Sequence, residues 1–264
     1  MSTRFYEVDS RTEALRERME RLPEADADMI SAQFAQKLEL SWIYHDLALE
    51  GVVVTEQELH AALDQRAVAD ASMVNLFQEI RRHKIAIDFV KEITDKRTFS
   101  WNLDIVKRMY CTLSPEESPK TLKYRKDNPL HRLYFHDISA PEKISYKMRK
   151  LQEWLKLSST GSMHPIRRAS ELHFRLMSIF PFSMHSGRVS RLVMNLMLMR
   201  DGYLPAIIHA IDRQRYYDTL RAPTAGLSNL VCEAIEAAID AKFRFVQDYQ
   251  AAKAAARRRR RAAS

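Results

Sequence analysis

The sequence predicts an all-α protein. The 264-residue chain contains only five glycines, a residue that weakens helix interiors. Its long segments are rich in Leu, Ala, Met, Glu, Arg and Lys, which favour helices. Apolar residues recur at intervals of three and four along these segments, the spacing of one helix face. With 46% hydrophobic residues, the chain can bury a large core.

The N-terminal region, residues 1–100, is predicted to form scaffold helices. A long amphipathic helix spans about 26–50 and ends before Gly51, because glycine is favoured just after a helix. Thr55 and Glu58 match the capping box that starts the next helix. A further apolar-periodic run covers about 71–94, and another helix is predicted at about 102–113.

Two helices are predicted on either side of a short loop in the centre of the chain. The apolar face of the first helix consists of Ala169, Leu172, Leu176 and Ile179. Pro181 should end this helix near Phe180, because proline lacks an N–H and disfavours helical geometry in the residue before it. The second run, 192–199, is apolar almost all round, which is typical of a buried helix.

The start of that buried helix is a candidate anion site. Unpaired backbone N–H groups and the helix dipole favour negative charge at a helix N-terminus. Arg188 and Arg191 lie on one helical face, and each guanidinium can hold two phosphate oxygens, while Gly187 permits close approach to the backbone. The alternative is that both arginines are solvated or form internal ion pairs.

Residues 180–191 resemble the signature of Fic (Fido) domains, His-Pro-Phe-x-Asp/Glu-Gly-Asn-Gly/Lys-Arg-x-x-Arg. The matching residues are Pro181, Phe182, Gly187, Arg188 and Arg191. Similarity continues in residues 164–169 and 213–217 and covers about 40–220. The resemblance implies a Fic-type helical bundle with a short β-hairpin flap, related to the adenylyltransferases (AMPylases) that transfer AMP from ATP to a protein hydroxyl.

Four positions depart from the family signature. The histidine that takes the proton from the target hydroxyl is replaced by Phe180, whose ring cannot accept one. The acidic residue that holds magnesium is replaced by the thioether Met184, whereas magnesium prefers hard oxygen ligands. His185 and Ser186 stand where the family has Gly and Asn. The resemblance therefore implies a degenerate active site with no metal at the motif.

ATP or another nucleotide is still the ligand that the resemblance implies. Its phosphates are expected at Ser186, Gly187, Arg188 and Arg191. Tyr216 and Tyr217 lie on the following helix, where aromatic residues of the family approach the adenine ring. Core packing is the commoner role of such a tyrosine pair, and the sequence leaves both roles open.

Residues 46–51 resemble the inhibitory-helix motif of Fic proteins, Ser/Thr-x-x-x-Glu-Gly/Asn, with Asp46 at the Ser/Thr position. In the family the glutamate pairs with the second motif arginine and blocks placement of the γ-phosphate, and in some members it assists removal of AMP. Here those residues are Glu50 and Arg191. Alone, Glu50 is an ordinary helix-terminal residue before a glycine cap, but the retained Arg191 favours the ion pair.

A change of pattern at about 122–139 predicts two short strands around a turn. In Fic domains a hairpin flap at this place aligns the target segment beside the active site. By position the flap would consist of Leu130, His131, Arg132, Leu133, Tyr134, Phe135 and His136. A surface hairpin without function is the alternative.

The C-terminal end contains most of the excess positive charge. Residues 251–264 hold Lys253 and Arg257 to Arg261 and no acidic residue. Without these six, 36 basic and 34 acidic residues leave a net charge of +2 instead of +8. Such a block of like charges is predicted to be disordered and to contact polyanions such as nucleic acid nonspecifically.

No signal-peptide pattern and no apolar run long enough to span a bilayer is present. Cys111 and Cys232 are too few and too far apart for a disulfide framework or a metal site. These features predict a cytoplasmic protein. Its expected organisation is a helical region (1–100), a Fic-like core (101–225) with flap (122–139) and motif (180–191), a helix (226–250) and a tail (251–264).

Three functional hypotheses follow. The first is a pseudoenzyme or regulatory protein that binds a nucleotide or phosphate, with an unidentified protein target. The second is an enzyme with altered nucleotide or phosphodiester transfer or hydrolysis, including removal of AMP, that uses Glu50 or His185. The third is a polyanion-binding protein that acts through the arginine tail.

Overall fold

The chain folds into a helical bundle in a computed structural model that describes residues 2–64, 70–115, 117–129, 136–221 and 225–263. These residues contain helices and no strand, which confirms the all-α fold class. The elements are α1 (Ser2–Glu20), α2 (Glu24–Leu49), α3 (Glu56–Leu63), α4 (Val74–Asp95), α5 (Leu103–Leu113), α6 (Pro141–Lys156), α7 (Ser158–Gly161), α8 (Pro165–Ile179), α9 (Ser186–Arg200), a 3₁₀ turn (Ala210–Asp212), α10 (Arg213–Arg221) and α11 (Ala225–Ala263).

Helix α9 is the centre of the bundle. Every residue from Ser186 to Leu198 is buried, and the helix packs against α4, α5 and α8. This burial explains why the sequence of α9 is apolar on almost every side, since no face meets water. Because charged side chains are rarely buried without partners, the two arginines of its first two turns require partners from other helices.

Asn195 fixes the chain segment that follows α9. Its side-chain oxygen accepts a hydrogen bond from the Ala206 N–H at 2.8 Å, and its amide nitrogen donates to the Ala206 carbonyl at 3.3 Å. Both backbone groups of a buried residue are thereby satisfied. The segment then leads through the 3₁₀ turn into α10, which brings Tyr216 and Tyr217 into a buried cluster with Met177 of α8 and Phe180.

Helix α2 ends beside α9, as the glycine signal predicts. Gly51 has φ +88°, the left-handed conformation in which glycine is favoured at a helix end. Thr55 and Glu58 form the predicted capping box at the start of α3. This local geometry places Glu50 at the C-cap of α2, next to the start of α9.

The first and last helices pack on each other, which the sequence did not predict. Residues 2–20 form α1 and contact α11, with Arg4 3.2 Å from Glu233. The tail also differs from the prediction of disorder, because α11 is one helix through Ala263. Alanine-rich sequence favours helix there, and Tyr249 and Lys253 both contact Asp26 of α2.

The predicted hairpin is not seen where the chain can be described. Residues 122–129 and 136–139 form no strand. Residues 130–135, six of the seven assigned to the flap, lie outside the described residues, so the hairpin stays a prediction. Among the helices that the structure describes, none is long and apolar enough to cross a membrane.

His173 of α8 is a polar residue of the core. It has no exposed surface, and its Nε2 lies 2.9 Å from the Tyr216 hydroxyl. Burial, together with the charge of Arg191, lowers the pKa of His173 from 6.5 to about 3. The folded protein therefore holds this imidazole neutral where the unfolded chain would protonate it.

The stability contribution of His173 should depend on pH. The pKa of His173 is lower in the folded protein than in the unfolded chain. Its contribution to the free energy of unfolding is therefore complete above about pH 6.5, and it decreases by ~1.4 kcal/mol per pH unit as the pH falls towards 3. The stability difference between the unmodified protein and His173→Gln should therefore shrink by about 2 kcal/mol between pH 7 and pH 5. Urea unfolding of both proteins at the two pH values measures this difference. An equal stability difference for His173→Gln at the two pH values would contradict the assignment.

Candidate functional site

The loop between α8 and α9 is fixed in an unusual backbone conformation. Phe180 (φ 48°) and His185 (φ 57°) are left-handed, one at each end of the loop. For a non-glycine residue this conformation costs about 1–2 kcal/mol, so other contacts must hold it. Ser186 supplies one of them, because its hydroxyl accepts from the Phe182 N–H at 2.8 Å and donates to the Phe182 carbonyl at 2.9 Å.

Arg125 supplies the other contacts. Its Nε donates to the Phe180 carbonyl at 2.7 Å, and its Nη2 donates to the carbonyl of Ser139. The Arg125 backbone N–H also donates to the Pro181 carbonyl at 3.0 Å. Sequence reasoning placed Arg125 in a predicted strand and gave it no role. A single arginine in a loop carries no sequence signal that it will serve the carbonyl groups of a distant turn.

Phe180 fills the position of the family histidine with a packed ring. Its side chain is 1% exposed and lies in a cluster of buried apolar residues with Leu49, Tyr216 and Tyr217. A phenyl ring offers no lone pair, so it cannot act as a base. Burial among apolar side chains makes Phe180 part of the core.

Arg191 is held by two carboxylates from α2. Its Nη2 lies 2.9 Å from Glu50 Oε1, which is the ion pair that the inhibitory motif predicts, and its Nε donates to Asp46. Asp46 Oδ2 in turn lies 3.1 Å from His83 Nε2 on α4. Burial acts to raise the pKa of Asp46, but Arg191 and His83 outweigh it and lower that pKa to about 2. Asp46 is therefore ionised at neutral pH.

The Glu50 carboxylate also lies directly against the first turn of α9. A Cβ atom built on Gly187 would be 2.4 Å from Glu50 Oε1 and 3.2 Å from Arg191 Nη1. Only glycine allows this approach, since real Cβ contacts are not that short. Glu50 thus brings its own negative charge to the helix N-terminus, where a phosphate was predicted to lie.

Arg188 pairs with a carboxylate from a different helix. Its Nη2 lies 2.5 Å from Glu79 Oε1 on α4, and the arginine side chain is 3% exposed. Its Nε and Nη1 are buried and have no hydrogen-bond partner among the described residues, and the same holds for Arg191 Nη1. Unmet donors of this kind cost about 1–3 kcal/mol each, so an acceptor placed beside them would be stabilised.

The site as a whole is not positively charged, contrary to what the two arginines suggest. Arg188 and Arg191 face three carboxylates, those of Asp46, Glu50 and Glu79. Burial lowers the pKa of His83, and burial with the nearby Arg188 lowers the pKa of His185 to about 4. Both imidazoles are therefore neutral at pH 7. The formal balance of Arg188, Arg191, Asp46, Glu50 and Glu79 is therefore −1.

The other residues predicted to contact phosphate are covered or already hydrogen-bonded in this conformation. Gly187 lies under Glu50, and the Ser186 hydroxyl is engaged by Phe182, so that side chain is already occupied within the loop. Met184 is 62% exposed at the loop surface. In the part of the chain that the structure describes, no group of three or more His, Cys, Asp or Glu side chains could hold a metal ion.

Tyr216 and Tyr217 are packed core residues in this conformation. They are 0% and 2% exposed, and their rings lie 5.0 Å apart. The Tyr216 hydroxyl contacts His173, and the Tyr217 hydroxyl donates to the Leu49 carbonyl at 3.3 Å. With both rings covered, neither offers an open face to a base, and adenine stacking stays a prediction.

Of the predicted flap, only His136 lies among the described residues. It is 6% exposed, its ring is 6.3 Å from that of Phe180, and its Nε2 lies 3.1 Å from the Met177 carbonyl. His136 is therefore a buried neighbour of the motif. The sequence did not predict that Asp46 and Glu79 pair with the arginines or that His83 contacts Asp46, because each comes from a helix far away in the chain.

Comparison with known proteins agrees with this fold and motif. Residues 100–198 match the Fic/DOC family. A protein adenylyltransferase Fic from Aedes aegypti is 27% identical over 226 residues, 84% of this chain and 43% of that protein. Another from Drosophila ananassae is 30% identical over 193 residues, 70% of this chain and 37% of that protein. The chain thus spans less than half the length of these curated relatives.

Solved structures show the same fold. A fragment of Fic-1 from C. elegans has a TM-score of 0.75 at 21% identity, covering 92% of this chain and 72% of that one. A Fic domain containing signaling protein from Bacteroides thetaiotaomicron has a TM-score of 0.69 at 20% identity, covering 94% and 95%. The match of residues 100–198 to the Fic/DOC family, together with the sequence identity to the curated Fic adenylyltransferases, shows that the protein is a Fic (Fido) domain protein.

Proposed function

We propose that this chain is a Fic-domain pseudoenzyme that binds a nucleotide phosphate at the start of α9 for regulation and does not transfer AMP by the family mechanism. The observation that carries the proposal is Phe180, a buried ring at the position of the proton acceptor. A positioned general base contributes about 10²–10⁴-fold to a rate. Met184 removes the oxygen ligand for magnesium as well, so the site lacks both groups.

The proposed phosphate site is closed in this conformation. Glu50 occupies the approach to Gly187, and Glu79 neutralises Arg188. A phosphate must therefore replace the Glu50 carboxylate against α9. Three buried guanidinium nitrogens of Arg188 and Arg191, which have no hydrogen-bond partner in the described part of the chain, would then supply hydrogen bonds that Glu50 does not accept. A protein partner that displaces the end of α2 would open the site, which fits a regulatory role.

An enzyme with altered chemistry is the second candidate. His185 lies near Arg188, and its pKa of about 4 keeps it neutral but makes it a weak base at pH 7. Glu50 is better placed to orient a water molecule, because its carboxylate already lies against Gly187. Phosphodiester hydrolysis lost in Glu50→Gln and retained in His185→Gln would favour this candidate.

The third candidate is binding of polyanions through the end of α11. Arg257, Arg258 and Arg259 are exposed on the helix. Nonspecific binding to nucleic acid depends on such phosphate contacts and weakens as salt increases. The body of the chain has little excess charge, so this activity would depend on the tail alone. A cytoplasmic location stays a prediction beside all three candidates.

The first prediction of the proposed function concerns AMP transfer. The unmodified protein and Glu50→Gly should incorporate no label from magnesium ATP labelled at the α-phosphate. Combining Glu50→Gly with Phe180→His, Met184→Asp, His185→Gly and Ser186→Asn restores the family signature and should raise self-modification by about 10²-fold or more. The matched control carries the same changes but keeps Phe180, and it should stay at background. Incorporation by the unmodified protein or by the control would contradict the proposal.

The second prediction concerns nucleotide binding. Calorimetry with ATP should give a weak signal for the unmodified protein and about 10-fold tighter binding for Glu50→Gln, since a competing charge is removed, equivalent to about 1.4 kcal/mol. The control Glu56→Gln changes an exposed carboxylate and should have no effect.

Adding Arg188→Met to Glu50→Gln should reverse the gain, because the unpaired guanidinium nitrogens of Arg188 are then absent. If ATP binds neither the unmodified protein nor Glu50→Gln, the phosphate site is vestigial and the regulatory part of the proposal is wrong.

A further inference from the structure

A cavity lies at the opposite end of α9 from the motif. It has a volume of about 240 Å³ and lies between α2, α4, the end of α9 and α11. Met199 and residues 202–205 also line it. Since a helix rises 1.5 Å per residue, this cavity is roughly 20 Å from the first turn of α9. It is therefore independent of the phosphate site.

The walls of the cavity are mainly apolar. Phe34 and Trp42 of α2 are 5% and 3% exposed, Ile87 of α4 is fully buried, and Leu204 completes the surface. The exposed residues Ser31 and Ala35 lie at the cavity edge, which leaves a way in from solvent. A surface of this composition favours a ligand with an apolar body.

The charged side chains of the cavity differ in whether they form ion pairs. Glu39 pairs with Lys91, and it also lies 3.2 Å from Lys84. Lys242 of α11 is different, because it forms no ion pair with any described carboxylate. Its Nζ lies 5.8 Å from the centre of the Phe34 ring, and burial lowers the pKa of Lys242. A partly buried amine without a carboxylate partner is a group that a bound anion would stabilise.

We propose that this cavity binds a small carboxylic acid with an apolar body, such as a monocyclic aromatic acid, whose carboxylate pairs with Lys242 and whose ring packs against Phe34 and Trp42. Size supports this class of ligand. A cavity of about 150 Å³ accommodates benzene, so 240 Å³ accommodates a ring with a short acidic arm. A ligand of this size is expected to bind with a Kd on the order of 1 mM.

The test is saturation-transfer NMR on the full chain with phenylacetate and its neutral counterpart phenylacetamide. Phenylacetate should bind saturably, and phenylacetamide should bind about 10-fold more weakly because it cannot pair with an ammonium group. Lys242→Met should remove the preference for the acid. Ala35→Trp, which adds bulk at the exposed edge without changing the core, should weaken both ligands. Lys120→Met, at an exposed lysine away from the cavity, is the matched control and should change neither.

Two results would overturn the inference. One is the absence of saturable phenylacetate binding to the unmodified protein at about 10 times the expected Kd. The other is binding that persists unchanged in both Lys242→Met and Ala35→Trp, which would place the ligand elsewhere. Neither result bears on the phosphate site, because ATP binding and its dependence on Glu50 are measured separately.

Discussion

The central constraint on this protein is the buried pairing of Arg191 with Asp46 and Glu50. A guanidinium that is 2% exposed requires negative partners, and α2 supplies both of them. This requirement ties the end of α2 to the start of α9 and brings a carboxylate against Gly187. The same carboxylate lies where we propose that a phosphate binds. Under that proposal, the fold and its regulation depend on one set of charges.

The sequence predicted those features that depend on local pattern. Helix spacing, Pro181 and Gly51 were enough to place α2, α8 and α9 and the loop between the last two, since each is a short-range backbone effect. The pair of Glu50 with Arg191 was also predicted, through the resemblance to the inhibitory motif. The charge block of the tail was misleading, because alanine content and contacts of Tyr249 and Lys253 with Asp26 favour a helix there.

Features that depend on distant residues were not predictable. Three contacts join helices or loops that are separated by many residues. They are the ion pair of Glu79 with Arg188, the contact of His83 with Asp46 and the hydrogen bond from Arg125 to the Phe180 carbonyl. No spacing rule connects such positions. Of these, Glu79 changes the charge: together with Asp46 and Glu50 it gives the two arginines, which suggested an anion cradle, a formal balance of −1. Charge seen in a sequence is therefore a weak guide to charge in a buried site.

A double-mutant cycle between Glu50 and Arg191 tests the central claim most directly. The free energy of unfolding in urea is measured for the unmodified protein, Glu50→Gln, Arg191→Met and the double variant. The buried pair predicts a coupling energy of about 1.5 kcal/mol or more. Additive effects within about 0.5 kcal/mol would show that the two side chains do not interact in solution. The proposal that Glu50 closes the phosphate site would then be wrong.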